Sequence, residues 1–563
     1  MSDELLLLTN SMNGNLDKVT DLLIKGANIE STNKNGDTPL IVASAKGHLD
    51  IAKHLIEKGA NINAINKNDD TPIIFASAKG HLDIVKFLIE KRANINAINK
   101  DGNSPLIFGA AEAYFDIVKL LIENKADINA VNKEGNFPLI VVSKNGKLDI
   151  AELLIENGAF INVKNLNDDT SLIIATKTGH LDIVSLLIDN GANVNAKNIH
   201  GISPLIYASN NGYLGIVKFL IDNGADIDAI NNNGNTPLIA TSVNGNYEIA
   251  KLLIDNGANI DAINKNDNTP LIYASINGHL DIAKLLVDNG ANINATNKLG
   301  NTPLIYASNK GYLDVANLLI DNGANIDAIN NNGDTSLIYA SLNGHLDIVS
   351  LLIKNGDNIN TTNKLGNTPL IYASNDGHLD IVKFLIEKGA DIDAINNSGE
   401  TSLILAARNG RLNIVNEIIT KLTLNTISEC PSVFGQNRTE NAITLEEWDD
   451  DDRFMRLSNN FCYSFKEIKG MYDGRVKKLL LSNTDYDKND RIKMEIIARY
   501  LFYFQSINET EGGYIKSRKT NKGRKTNKGR KNKKTKRKSI RKNKTKKQKN
   551  KKTKFIITTR KNN

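Results

Sequence analysis

The sequence predicts an all-α dominated solenoid, and three observations predict it: a strict 33-residue period, a helix-start signal in nearly every unit, and glycines at fixed offsets that end the helices. The stretch Asn301-Thr302-Pro303-Leu304-Ile305-Tyr306-Ala307-Ser308 recurs letter for letter at 268–275 and 367–374. With its Thr as marker, the equivalent positions are Thr38, Thr71, Ser104, Phe137, Thr170, Ser203, Thr236, Thr269, Thr302, Thr335, Thr368 and Thr401, and the register never slips. Such a period means stacked units that bury their faces on their neighbours instead of around one globular core.

The marker reads as the start of a helix. Thr or Ser there can accept a hydrogen bond from an orphan N–H of the first turn. Pro fits the next position, where its missing N–H costs nothing and its φ is already helical. Nine of the chain's 10 prolines sit there, and Ser171, Ser336 and Ser402 take the place in the other three units. Nine residues after the marker comes Gly in eleven of twelve units, Ala113 being the exception, so the first helix is short.

A second helix follows at once, as in Leu280-Asp281-Ile282-Ala283-Lys284-Leu285-Leu286-Val287, with Ile282, Ala283, Leu285 and Leu286 on one side. Asp281 and its counterparts lie in the first turn, where the helix dipole favours a carboxylate. Gly290-Ala291 caps the C-terminus, and Asn292 to Gly300 reads as an extended, hairpin-like connection.

These residues in a unit of 33 resemble the ankyrin repeat over roughly residues 1–425. The resemblance implies a helix-turn-helix plus a hairpin loop per unit. One departure is systematic: Ile stands after Pro-Leu in every repeat, as in Ile305, where the family usually has His. Apolar packing is therefore expected in place of the usual side-chain bonding between neighbouring turns. Residues 1–33 read as an N-terminal capping half repeat and 34–425 as twelve repeats. Residues 426–511 read as a small accessory domain of α or α+β type, and 512–563 as a disordered basic tail. At about 8–10 Å per repeat, thirteen units would extend on the order of 110–130 Å, with one concave side.

The resemblance also implies where a protein partner sits: on the hairpin tips and the exposed end of the first helix. The matching positions lie four, three and one before the marker and seven and eight after it. In mid-stack they are Ile199, His200, Ile202, Asn210 and Asn211; Asn232, Asn233, Asn235, Val243 and Asn244; Lys265, Asn266, Asn268, Ile276 and Asn277; and Lys298, Leu299, Asn301, Asn309 and Lys310. That surface is rich in Asn and short of the Trp, Tyr and Arg that anchor hot spots.

Other constellations read as structural. Six of the eight His recur ten residues after the marker (His48, His81, His180, His279, His345, His378). Because they stand on separate repeats, they read as helix-start residues and not as metal ligands. Tyr207, Tyr273, Tyr306, Tyr339 and Tyr372 alternate with Phe, Val and Leu at one position and read as packing. Asp485 to Ile496 opens like a calcium loop but lacks its central Gly and its terminal Glu. No phosphate loop, nucleophile elbow or supported carboxylate pair appears, so the chain is read as no enzyme, with no catalytic residue, metal or cofactor.

Charge divides the chain. Residues 516–563 hold 25 Lys and Arg and no Asp or Glu, leaving 45 basic against 63 acidic residues before them, a net of −18. Such a tail cannot bury a core. With its cluster Lys533, Lys534, Lys536, Arg537 and Lys538, it is suited to non-specific nucleic acid or an import receptor. No stretch is long and apolar enough for a membrane span. Cys430 and Cys462, both outside the repeats, read as reduced bystanders. The chain is therefore expected to be a monomer inside the cell, in cytoplasm, nucleus or both. In its Asn, Ile and Lys usage it is similar in style to the ankyrin proteins of giant DNA viruses, which would make the setting an infected host cell. Two functions remain open: an interaction scaffold, or a ubiquitin-ligase adaptor or ligase, the latter because 442–475 is faintly similar to a U-box.

Overall fold

The computed structural model describes residues 2–429, 454–456 and 462–464. The chain divides into two units, Met1–Asp449 and Asp450–Asn563. Within the first, the described residues form a stack of helix pairs, opened by Asp3–Asn13 and Leu16–Ile24 and closed by Ser402–Arg408 and Leu412–Glu429.

The helix starts follow from the marker. The Thr302 hydroxyl accepts from the Ile305 N–H at 3.2 Å, and the same bond recurs at Ser203 and Thr368. Phe137 has no such oxygen, and Pro138 alone opens that helix. Losing a cap costs about 1 kcal/mol, which the packing of a whole repeat absorbs. In the terminal unit, which lacks Thr-Pro, Ser2 caps instead.

Each repeat contributes the same core. Leu304, Ile305 and Ala307 from the first helix meet Val315, Ala316 and Leu319 from the second, all at most 1% exposed. Ile305 is thus an interior residue, as its substitution for His leads one to expect. Burying each large aliphatic contributes roughly 1.5–3 kcal/mol. First helices pack closely on the first helices of neighbouring repeats, whereas second helices touch their counterparts less.

Two sets of glycines end the helices for different reasons. At Gly47, φ is +82° and an added Cβ would stand 2.8 Å from the His81 ring of the next repeat. At Gly59, φ is +91° but nothing lies within 4 Å. The second set therefore tolerates exceptions, and Arg92 and Lys125 occupy it at φ 67° and 65°. Ala113 is the exception in the first set, at φ 61°, and the residue 34 places on is Lys147, which brings no ring.

The connections are tighter than the hairpin the sequence led us to expect. Each makes two turns, and among the described residues of the stack the one strand-like pairing is the isolated bridge Lys164–Thr170. Two backbone bonds close each tip, as Asn297 N–H to Asn301 O at 3.2 Å and Gly300 N–H to Asn297 O at 2.8 Å. The last helix also differs from expectation: it runs to Glu429, past residue 425, because the Gly-Ala cap is missing where Leu422 stands.

In the second unit the described residues are an antiparallel pair, Phe454–Arg456 with Cys462–Ser464. The remainder of 430–511, the calcium-like loop and the basic tail lie outside the described residues, as does most of the U-box-like stretch 442–475. Among the described residues no helix is long and apolar enough to cross a membrane.

Candidate partner-binding surface

The loops that carry the candidate residues are organised by one position that sequence reasoning passed over. Five residues before the marker stands Asn in all twelve repeats, from Asn33 to Asn396. Asn297 shows what it does. Its Oδ1 accepts from the N–H groups of Leu299 and Asn301, both at 3.0 Å, which folds the tip. Its Nδ2 donates backwards to the Asn268 side chain of the preceding repeat at 2.9 Å. Equivalent rungs run from Asn66–Asp37 (2.8 Å) through Asn363–Asp334 (2.7 Å) to Asn396–Asn367 (2.9 Å). The signal was available, since an Asn that survives in every copy of a drifting repeat must satisfy something.

This ladder corrects part of the candidate list. Asn268 and Asn301 are 8% and 7% exposed and serve as acceptors for the next repeat, so they are structural and not partner-facing. Asn235 is half-buried in the same role, accepting from Asn264 at 2.9 Å. Ile202, half-buried, offers no acceptor, and the rung from Asn231 cannot form there.

The other candidates fare differently. Ile199, His200, Asn210, Asn211, Asn232, Asn233, Asn244, Lys265, Asn266, Lys298, Leu299 and Lys310 are exposed, while Val243, Ile276, Asn277 and Asn309 are half-buried. Several of the exposed amides also tie repeats together. Asn232 Nδ2 donates to Ile199 O at 2.9 Å, Asn244 Nδ2 to Asn210 O at 3.1 Å and Asn211 Nδ2 to Lys177 O at 3.3 Å. The surface is therefore pre-organised, with part of its polar capacity already in use.

The tyrosine position is more than packing. Tyr273, Tyr306 and Tyr372 are half-buried, and each hydroxyl accepts from the ladder Asn of its own repeat at 2.8–2.9 Å. At Tyr339 burial, and then the charge of Asp334, raises the phenol above its ordinary range.

The histidines begin helices as expected, but their side chains do not cap them. Each ring instead lies against the glycine of the preceding repeat, and its Nε2 meets a carbonyl there: His48 to Met12 O at 2.9 Å, His279 to Val243 O at 3.1 Å, His378 to Leu342 O at 2.9 Å. A carbonyl only accepts, so Nε2 carries the proton. These bonds link each of those repeats to the one before it.

A second regularity is apolar. From the second repeat to the twelfth, each loop exposes one large aliphatic side chain: Ile65, Ile98, Val131, Leu166, Ile199, Ile230, Ile263, Leu299, Ile329, Leu365 and Ile395, all 48–70% exposed. Seven of these stand six residues before the marker, a position that sequence reasoning did not single out.

Comparison with known proteins agrees with this architecture. The family described as ankyrin repeats (3 copies) matches residues 7–99, 106–198, 162–231, 205–297, 292–363 and 337–427. No curated protein matched the chain. Ankyrin repeats generally mediate protein–protein interaction and are typically non-enzymatic. With matched segments spanning most of the chain, and the period, caps and helix pairs all in place, the chain belongs to the ankyrin repeat family.

Proposed function

We propose that the chain is a non-enzymatic interaction scaffold. A protein partner is held along the concave face of the stack, on hairpin tips and the exposed ends of first helices, and the basic tail sets location or tethers nucleic acid. One observation carries the first part: His200, Asn233, Asn266 and Leu299 are exposed at the same place on four consecutive loops, the last three joined through the asparagine ladder and the first two through Asn232, whose N–H donates to His200 O at 2.9 Å. A rigid, repeating surface binds without a large ordering cost. The tail's composition supports the second part, because 25 positive charges without a negative one attract phosphates.

The test of the first part substitutes His200, Asn233, Asn266 and Leu299 together by Glu in the full chain. Proteins captured from cells by the parent should be lost by the variant while its thermal unfolding stays the same. Retention of the same proteins would sink this reading. For the tail, removal of 516–563 should abolish RNA and DNA retention at low salt and move a tagged protein out of the nucleus. Unchanged retention together with unchanged location would leave the tail with neither role.

A further inference from the structure

The aliphatic side chains on the loops follow a compensating rule. Where the position six before the marker is polar, at Lys164, Lys197, Thr296 and Thr362, an aliphatic stands two or three residues further along the same loop, at Leu166, Ile199, Leu299 and Leu365. Where it is Ile or Val, those later positions are polar. Each loop thus exposes one large aliphatic and no more. Eight of the eleven loops add an exposed lysine, as Ile263 is followed by Lys265 and Leu299 preceded by Lys298. Some of these lysines lie along the stack: Lys197 Nζ reaches Ile230 O of the next repeat at 3.3 Å. Lys164 pairs with Asp168 at 3.4 Å. An exposed residue of this size in every unit is unusual for a solvated edge, and exposed apolar rows mark contact surfaces.

The spacing says what fits. Neighbouring repeats stand about 8–10 Å apart. An extended chain advances about 3.1–3.4 Å per residue, so three residues cover roughly 9–10 Å. A polyproline-type segment has three residues per turn and presents the same face once per turn. We propose that this ridge binds an extended, acidic polypeptide with an apolar side chain at every third residue, one residue triplet per repeat. The aliphatic rungs take the apolar side chains, and the lysines take the carboxylates between them. The inference rests on the reading that the stack binds protein, and adds the partner's conformation, charge and period.

The test uses the full chain and fluorescent peptides. One is six repeats of Pro-Leu-Glu, with its apolar residue at period three. The second is a shuffled sequence of identical composition, so that the basic tail attracts both equally. The third is an acidic amphipathic helix of equal charge. Fluorescence anisotropy should show the first binding at least tenfold tighter than the other two. The triple variant Ile263→Ser, Leu299→Ser, Ile329→Ser should remove that preference, with thermal unfolding unchanged. Should the Ser variant unfold, Ile263→Thr with Ile329→Thr keeps the branched shape and should lower the preference several-fold. Equal binding of the first two peptides, tighter binding of the helix, or a preference that survives the substitutions would each overturn the inference. Loss of cellular partners by the ridge variant without any peptide preference would overturn it too, while leaving the protein-binding reading intact.

Discussion

The turn at Gly323-Ala324 and the turn at Gly356-Asp357, one repeat apart, share a backbone. The glycines take φ 85° and 94°, and the next N–H donates to Leu319 O at 2.9 Å in one and to Leu352 O at 3.1 Å in the other. What they bury differs. Ala324 places a methyl group in the repeat junction, and ten of the twelve repeats have Ala at this position, whereas Asp357 places a carboxylate there. Asp357 is 7% exposed, and neither of its oxygens has a hydrogen-bond partner. Burial pushes its carboxyl up to about 7, with the charge of Asp327 adding to the effect. The adjoining Asn358 N–H offsets part of this without completing a well-formed bond. The difference teaches that glycine and backbone bonding set the turn, while the side chain beneath sets how stable each junction is.

Exchanging the two side chains should have the largest effect. Between the ordinary carboxylate range near 4 and about 7, the folded chain keeps a proton that the unfolded chain has released, so stability falls as pH rises across that window. At roughly 1.4 kcal/mol per pH unit, Asp357→Ala should stabilise the chain by on the order of 4 kcal/mol at pH 8 and by little at pH 4. Ala324→Asp should transfer the same pH dependence to the neighbouring junction. Denaturant unfolding at both pH values checks this, and equal stability change at pH 4 and pH 8 would contradict the assignment.

The asparagine ladder should matter at both junctions alike. Asn330→Ala leaves the N–H groups of Asn332 and Asp334 without their acceptor and the Asn301 amide without its donor. A loss of about 2–3 kcal/mol is expected from buried polar groups left unmatched. Amide exchange should speed up at Asn332 and Asp334 first, and protection unchanged there would show the ladder to be incidental.

A smaller contrast separates the two kinds of glycine. Gly344→Ala meets the His378 ring at 2.7 Å as well as a positive φ, whereas Gly323→Ala meets only the φ. The second should cost about 1 kcal/mol, and the first roughly 1–2 kcal/mol more. Melting temperatures of the two variants measured side by side decide it, and equal values would mean the ring simply moves aside. Least of all, Tyr306→Phe should cost up to about 1 kcal/mol, since it removes the partner of Asn297 Nδ2 while that amide keeps Asn268.

By itself the sequence determined the architecture of residues 2–429. Periodicity, caps and stop signals are local, and an error in one copy is corrected by eleven others. Thr302, Pro303 and Gly311 act within a few residues of themselves, so their effect can be read without coordinates. Tertiary structure decided everything that joins one repeat to the next. Only stacking shows that Asn268 and Asn301 face inward and not toward a partner, and that the His81 ring of the next repeat stands where a side chain at Gly47 would be. It also decided that Asp357 is a buried carboxyl group and not one more surface carboxylate. The physical reason is distance along the chain: these contacts join residues 29 to 36 apart, and no local propensity encodes what a side chain will meet one whole repeat away.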